Sequence, residues 1–448
     1  MKASRKLSVV WPLLLSVALV LAACAPTATP TSQPPTATSQ AAATATQPAG
    51  ATETPVAAGP VEITFWNYWD GVNGETIQAL VDDFNKAHGN IKVTNVFIGW
   101  GELLPKLQTA AAGGEQPDVA AVDLVWMPTM AKSGAVIPLD DSIKASNTQL
   151  DDFYPALLNT DRYDGTLYGL PVSTNNLELF YNKDLFQAAG LDPNTPPKTW
   201  DELAQMAQKC ANPAQGVVGM ELFTETGEGM TWQYQVYLWQ AGGEFLSKDL
   251  KSAAFNSPAG EKALQYWVDL INNGGYKVSP WGLFGQGKAC MVMDGSWMVG
   301  SFAEQAPFAW GTARMPYPSD GQPATNMGGE HLIIFKSDEA RQQAAWEFVN
   351  WLTGTDTQLK WVEATRFMPI RKSLAENPDF TQWLQKTEPR LQPFVESQQY
   401  AHNRPPVTNY TEVSDVFSRE IEKALLGQAN VKQALSSAET AVNGLLSQ

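Results

Sequence analysis

Between Val61 and Val125 the chain switches repeatedly between two hydrophobic periods, and this constrains the fold more than any other feature. Val61-Glu62-Ile63-Thr64-Phe65-Trp66 reads as a strand and Asn67 to Gly74 as a loop. From Glu75 to His88, Ile77, Leu80, Val81 and Phe84 recur at helical spacing on one face. Gly89-Asn90 ends that helix, Ile91 to Ile98 alternates as a strand, Leu103 to Ala112 is helical, and Asp118 to Val125 is a strand. This β-α-β-α-β order predicts an α/β sheet with parallel strands. Ligands of such sheets sit at loops beyond the strand carboxyl ends. Here those loops hold Trp66 to Asp70, Trp100, and Asp123 to Trp126.

A second cycle begins near Tyr168. Leu177 to Tyr181 reads as a strand and Lys183 to Ala189 as a short helix ended by Gly190. Thr199 caps a further helix, with Glu202 three residues on to complete a capping box. Cys290 to Met293 is a strand that leads into Asp294-Gly295-Ser296-Trp297. Leu332 to Phe335 is a strand, Asp338 to Leu352 a long helix, and Glu412 to Leu446 helical with a break at Gly427.

The first 60 residues have a different character. Lys2, Arg5 and Lys6 precede an apolar run from Leu7 to Leu21 and then small residues, the pattern of a secretory signal. The run is shorter than the ~20 apolar residues a membrane span needs. Leu21-Ala22-Ala23-Cys24 resembles the lipobox of bacterial lipoproteins, which implies cleavage before Cys24 and lipidation of that residue. Residues 25–60 are almost entirely Ala, Thr, Pro, Ser and Gln, with Glu53 as their one charge. Such a tract buries too little to offset its ordering entropy and reads as a flexible tether. The expected division is thus 1–23 signal, 24–60 tether, and a folded body from residue 61.

Acidic residues outnumber basic ones by 46 to 30, which leaves no basic footprint for nucleic acid and none for an anionic membrane surface. Three His and three Cys lie far apart, so no metal-ligand spacing exists and neither metal nor cofactor is expected. Gly282 to Lys288 nearly spells a phosphate-binding loop, but Ala289 stands where Ser or Thr must hold magnesium. No G-x-S-x-G elbow or H-E-x-x-H motif is present. A secreted carbohydrate-active enzyme remains the alternative to a binding protein, because paired acids abound in any acidic chain.

Tyr181-Asn182-Lys183-Asp184-Leu185-Phe186, then Ala189-Gly190-Leu191-Asp192-Pro193, then Pro196-Pro197-Lys198-Thr199-Trp200-Asp201-Glu202-Leu203 form a specific series. It resembles bacterial extracellular solute-binding proteins of family 1, which include the maltose- and glycerol-phosphate-binding proteins of ABC importers. Pro117-Asp118-Val119, Gly287 to Met291, Gly295-Ser296-Trp297 and Arg366 to Ile370 match in the same order. The resemblance implies a two-lobe periplasmic-binding-protein fold of α/β class, with hinge crossings and an interlobe ligand cleft. Lobe one would be 61–173 plus 322–370, and lobe two 174–321 plus 371–448. It also implies a monomer that is not an enzyme, anchored by lipid alone at the outer face of the cell membrane, with importer permease subunits and their ATPase as partners. Cys210 and Cys290 fall near cysteines of these relatives, and an oxidising compartment favours a disulfide between them.

A sugar ring has apolar C–H faces and a rim of hydroxyls, so its binder needs aromatic platforms and a few fixed polar groups. Trp66, Tyr68, Trp69 and Asp70 share one loop, and Asp123 sits where maltose-binding relatives carry a sugar-contacting acid. Asn175, next to Asn176, replaces their glutamate. Trp297, after Asp294 and Ser296, falls where they stack a Trp. Glu330 follows Gly328-Gly329, whose missing side chains would let a ligand approach the backbone. Trp100, Trp126, Trp232, Trp281 and Tyr410 complete the candidates, and Arg366 is one that reads first as an ion-pair partner. Trp346 and Trp351 read as core. The glycerol-phosphate branch places an Arg where this chain has Val407, with Arg404 nearby but out of register. The acids Asp70, Asp123, Asp294 and Glu330 therefore favour a neutral mono- or oligosaccharide over a phosphate ester.

Overall fold

The computed structural model describes residues 59–222, 226–275 and 281–447. The signal, Cys24 and the tether lie outside these residues. The first sheet has five strands in the order Ile91–Phe97, Val61–Asn67, Val119–Asp123, Glu330–Ile334 and Gly169–Pro171. The first three are parallel, with Phe65 opposite Val119. Glu330–Ile334 is antiparallel to both neighbours, so the sheet is mixed rather than purely parallel. That strand does not follow its neighbour through a βαβ crossover, and no such connection dictates its direction.

Two boundaries differ from the sequence reading for local reasons. The helix expected from Glu75 spans Gly71–Ala87. Gly71 and Gly74 read as loop, yet a Cβ on Gly74 would lie 2.7 Å from the Trp69 carbonyl oxygen, so a glycine lets the first turn pass this carbonyl. The strand expected to reach Val125 ends at Asp123, whose carboxylate accepts the Val125 N–H at 3.1 Å and turns the chain into one 3₁₀ turn, Leu124–Trp126.

The second sheet has the order Trp310–Ala313, Leu177–Asn182, Ala289–Gly295 and Val218–Glu221. Leu177–Asn182 is antiparallel to its neighbours, while Val218–Glu221 and Ala289–Gly295 are parallel. The helix Trp200–Cys210 lies so close to Gly219 that any Cβ there would collide with the Ala207 backbone. Thr199 accepts the Glu202 N–H at 3.2 Å, but the Glu202 carboxylate takes the Lys198 N–H at 2.6 Å, so the capping box is only half formed. A Cys210–Cys290 disulfide ties the end of this helix to the sheet, with Cα atoms 6.3 Å apart. At the C-terminus, helices Tyr410–Leu425 and Val431–Leu446 flank a turn at Gly427, whose φ of 69° suits a glycine.

Between the sheets the chain crosses side by side. Asn175 and Gly328 exchange backbone hydrogen bonds of 3.0 and 2.9 Å, and Met368 N–H donates to the Thr174 carbonyl at 2.9 Å. The Gly328-Gly329 pair belongs to this crossing. A Cβ on Gly328 would strike the Asn175 side chain and the Trp232 ring, and one on Gly329 the Ser173 backbone. Gly329 also has φ 146°. The two glycines therefore make room for the protein's own crossing segments, and both also line the cavity described below.

The failed phosphate-loop motif has an internal occupant. The N–H groups of Gly282, Leu283 and Phe284 donate to the buried carboxylate of Glu221 at 2.7, 2.9 and 2.8 Å. This backbone cradle already holds an anion.

Candidate ligand cleft

The carboxyl ends of strands from both sheets open onto one cavity of about 740 Å³. From the first sheet, the loop after Val61–Asn67 supplies Tyr68, Trp69 and Asp70, and the strands themselves end in Phe97 and Asp123. From the second, Ala289–Gly295 supplies Asp294, and Trp297 follows it at the start of the helix Met298–Gln305.

Trp297 lies over Gly295, where any Cβ would occupy the space of its ring, and stacks on Trp232 with centroids 5.6 Å apart and planes 9° apart. Trp281 donates its indole N–H to Asp294 at 3.0 Å. On the opposite wall Tyr68, Trp126 and Trp100 form a run of rings at 5.9 and 5.6 Å. Tyr68 donates to Glu330 at 2.9 Å, and Ser173 closes on the other Glu330 oxygen.

Arg404, buried at the cavity, forks between two carboxylates: Asp123 at 2.7 Å and Glu228 at 2.8 Å. Glu228 also accepts from Ser414 at 2.6 Å and Tyr410 at 3.2 Å. The Arg404 guanidinium lies 5.2 Å from the Trp232 ring centroid. Sequence reasoning placed Arg404 out of register and missed Glu228 and Phe97 altogether. Glu228 opens a helix after Gly227, a position that in sequence looks like any exposed cap.

The structure brings most of the candidates to the cavity: Tyr68, Trp69, Asp70, Trp100, Asp123, Trp126, Asn175, Trp232, Trp281, Asp294, Trp297, Gly329, Glu330 and Tyr410. Four do not line it. Trp66 lies on a strand and packs against the core around Trp126 and Met127. Asn176 is fully buried and donates to the Phe394 carbonyl at 2.9 Å. Ser296, which precedes Trp297 in the chain, is fully buried. Arg366 pairs with Glu388 at 3.4 Å and lies 5.9 Å from the Trp383 ring. Trp69 lines the cavity but packs on Trp361 at 4.8 Å, so most of its ring is core.

Burial sets the charge of the acids here. Desolvation pushes the Asp294 carboxyl up to about 8, the neighbouring Glu221 adding to the rise and the Gly295 N–H opposing it. Burial likewise lifts Glu330 to about 7, against the Ser173 hydrogen bond. Away from the cavity, burial raises Glu178 to about 8. These folded values lie above the unfolded ones, so the native state holds more protons than the unfolded chain in between. The stabilisation is complete below about pH 4 and is lost as pH rises through about 7 to 8. Thermal melting should therefore fall from pH 6 to about pH 9, and Asp294→Asn should flatten part of that fall. An unchanged slope in the variant would show that Asp294 ionises normally.

Two α/β layers, side-by-side crossings and a cleft at the strand ends define a two-lobe solute-binding protein. The chain belongs to the bacterial extracellular solute-binding protein family, whose profile matches residues 68–359. It is similar to the cyclic alpha-maltosyl-1,6-maltose binding protein from Arthrobacter globiformis, with 43% identity and TM-score 0.76 over 87% of this chain and 99% of that one. A solute-binding protein of an ABC transporter from Thermotoga lettingae, solved with alpha-D-tagatose, is 30% identical with TM-score 0.79, covering 86% of this chain and 100% of that one. Among curated relatives, the sn-glycerol-3-phosphate-binding periplasmic protein UgpB of Pectobacterium atrosepticum is 29% identical, across 86% of this chain and 91% of its own length.

Proposed function

We propose that the protein captures a neutral oligosaccharide outside the cell and delivers it to the membrane subunits of an ABC importer. The lobes in this reading are 61–173 plus 322–370 and 174–321 plus 371–448, and the segments 172–176, 325–329 and 366–370 serve as the hinge. A ligand touching both walls favours the closed arrangement by its extra contacts there. Cys24 would carry the lipid that keeps the molecule, as a monomer, at the outer face of the membrane. Mass spectrometry of detergent-extracted protein should then find a diacylglyceryl thioether on Cys24.

One observation carries the choice of ligand class. Among the described residues that line the cavity, Arg404 is the only cation, and both arms of its fork are taken by Asp123 and Glu228. A phosphate ester would have to compete with two carboxylates for it, in a site whose remaining charged groups are acids. Neutral hydroxyls face no such penalty, and Trp297, backed by Trp232, and Trp281 offer flat apolar surfaces to sugar rings. The named ligand of the Arthrobacter relative supports an α-glucan; the UgpB relative marks the competing reading. Calorimetry should show stoichiometric binding of maltodextrins or cyclic maltosyl-maltose without turnover, and no binding of sn-glycerol 3-phosphate. Tight binding of the phosphate ester alone would overturn the reading, and hydrolysis of the glycans would return the protein to the enzymes.

A further inference from the structure

Large apolar side chains left in water are uncommon as a group, and clusters of them mark contact sites. Of the four large apolar side chains exposed among the described residues, three border the same cavity: Phe97 at 54%, Trp100 at 40% and Trp281 at 39%. They come from both walls. Phe97 ends a strand of the first sheet, Trp100 begins the helix after it, and Trp281 precedes a strand of the second and is held by Asp294.

Trp100 is continuous with the interior. Its ring meets the buried Trp126 at 5.6 Å, and Trp126 meets the half-buried Tyr68 at 5.9 Å. Trp100 is thus anchored at the solvent-exposed lip by an aromatic cluster that reaches into the cavity wall. A mono- or disaccharide seated on Trp297 would leave the lip wet and would gain nothing from its exposure.

We infer that the ligand is an oligosaccharide of at least three rings, and that Phe97 and Trp100 form an outer platform that selects for chain length. The inference rests on the neutral-oligosaccharide reading above. Aromatic rings spread along the cavity from Phe97 and Trp100 on one wall to Trp281 and Trp297 on the other suit pyranose units that follow one another along a chain, and the lip carries acids such as Asp70 but, among the described residues, no cation. That composition also argues against an anionic polymer as the outer occupant.

The test uses the full chain, its Phe97→Ala/Trp100→Ala double variant, and the maltodextrin series from maltose to maltohexaose. Both side chains are substantially exposed, so truncation should leave melting close to wild type; circular dichroism checks this. Affinity of the wild type should rise along the series. In the variant the ratio of maltohexaose to maltose affinity should fall about tenfold, the size of one or two lost aromatic contacts. An unchanged ratio overturns the inference while leaving the ligand class intact. An unchanged ratio together with impaired uptake in cells would mean that the lip is a docking surface for the permease, which also overturns it. Failure of wild type to bind any member would overturn the oligosaccharide reading itself, and the inference with it.

Discussion

Replacing Trp297 with alanine should weaken oligosaccharide binding by about 2–4 kcal/mol, the range for a central aromatic anchor. The ring lies against Gly295 and is stacked on Trp232, so it is a rigid platform that loses little freedom on binding. It is only partly buried and packs at the margin of two cores. Folding should therefore suffer less than the about 3–5 kcal/mol typical of a fully buried Trp. Calorimetry and thermal melting on the same variant separate the two effects. Unchanged affinity with a lowered melting temperature would make Trp297 a packing residue and nothing more. Gly295→Ala offers an independent check, because the added methyl would displace the ring without removing it.

Arg404→Met should destabilise the native state by about 3–5 kcal/mol, the usual cost of leaving buried charges without their partner. Arg404 is 3% exposed and neutralises both Asp123 and Glu228. Without it, two carboxylates from different walls face each other with only Ser414, Tyr410 and the Val125 N–H to hold them. The pH dependence identifies the cause. Burial already raises the Glu228 carboxyl, and Arg404 is the chief opposing influence. In the variant that group rises further, so the loss of stability is full at high pH and shrinks as pH falls and Glu228 takes up a proton. A deficit independent of pH would assign the effect to lost packing on Trp232 instead.

The two predictions differ in how visible their residues are in the sequence. Trp297 was legible because it follows a continuous apolar run that reads as a buried strand, in a stretch, Gly295-Ser296-Trp297, that matches the family. Arg404 was not, since it lies in an irregular crossing where neither period operates and a shift of three residues decides which wall a side chain faces. Glu228 was hidden for the same reason, as its partner is 176 residues away. Gly328 and Gly329 pose a related problem. Glycine signals a close approach, but the sequence does not say whether a ligand or another strand approaches.

Residue order alone determined the alternating strands and helices, the core faces of helices such as Ile77, Leu80, Val81 and Phe84, and the acidic excess of charge. Those properties depend on neighbours within one or two turns, or on composition. Only the tertiary structure decided that Glu330–Ile334 inserts antiparallel in the first sheet. It likewise decided that Glu221 fills the Gly282–Phe284 cradle, that Arg404 is shared by two carboxylates, and that Trp66, Asn176, Ser296 and Arg366 turn away from the cavity. Each of these depends on desolvation and pairing between segments far apart in sequence, and such energies exist only once the two sheets are brought face to face.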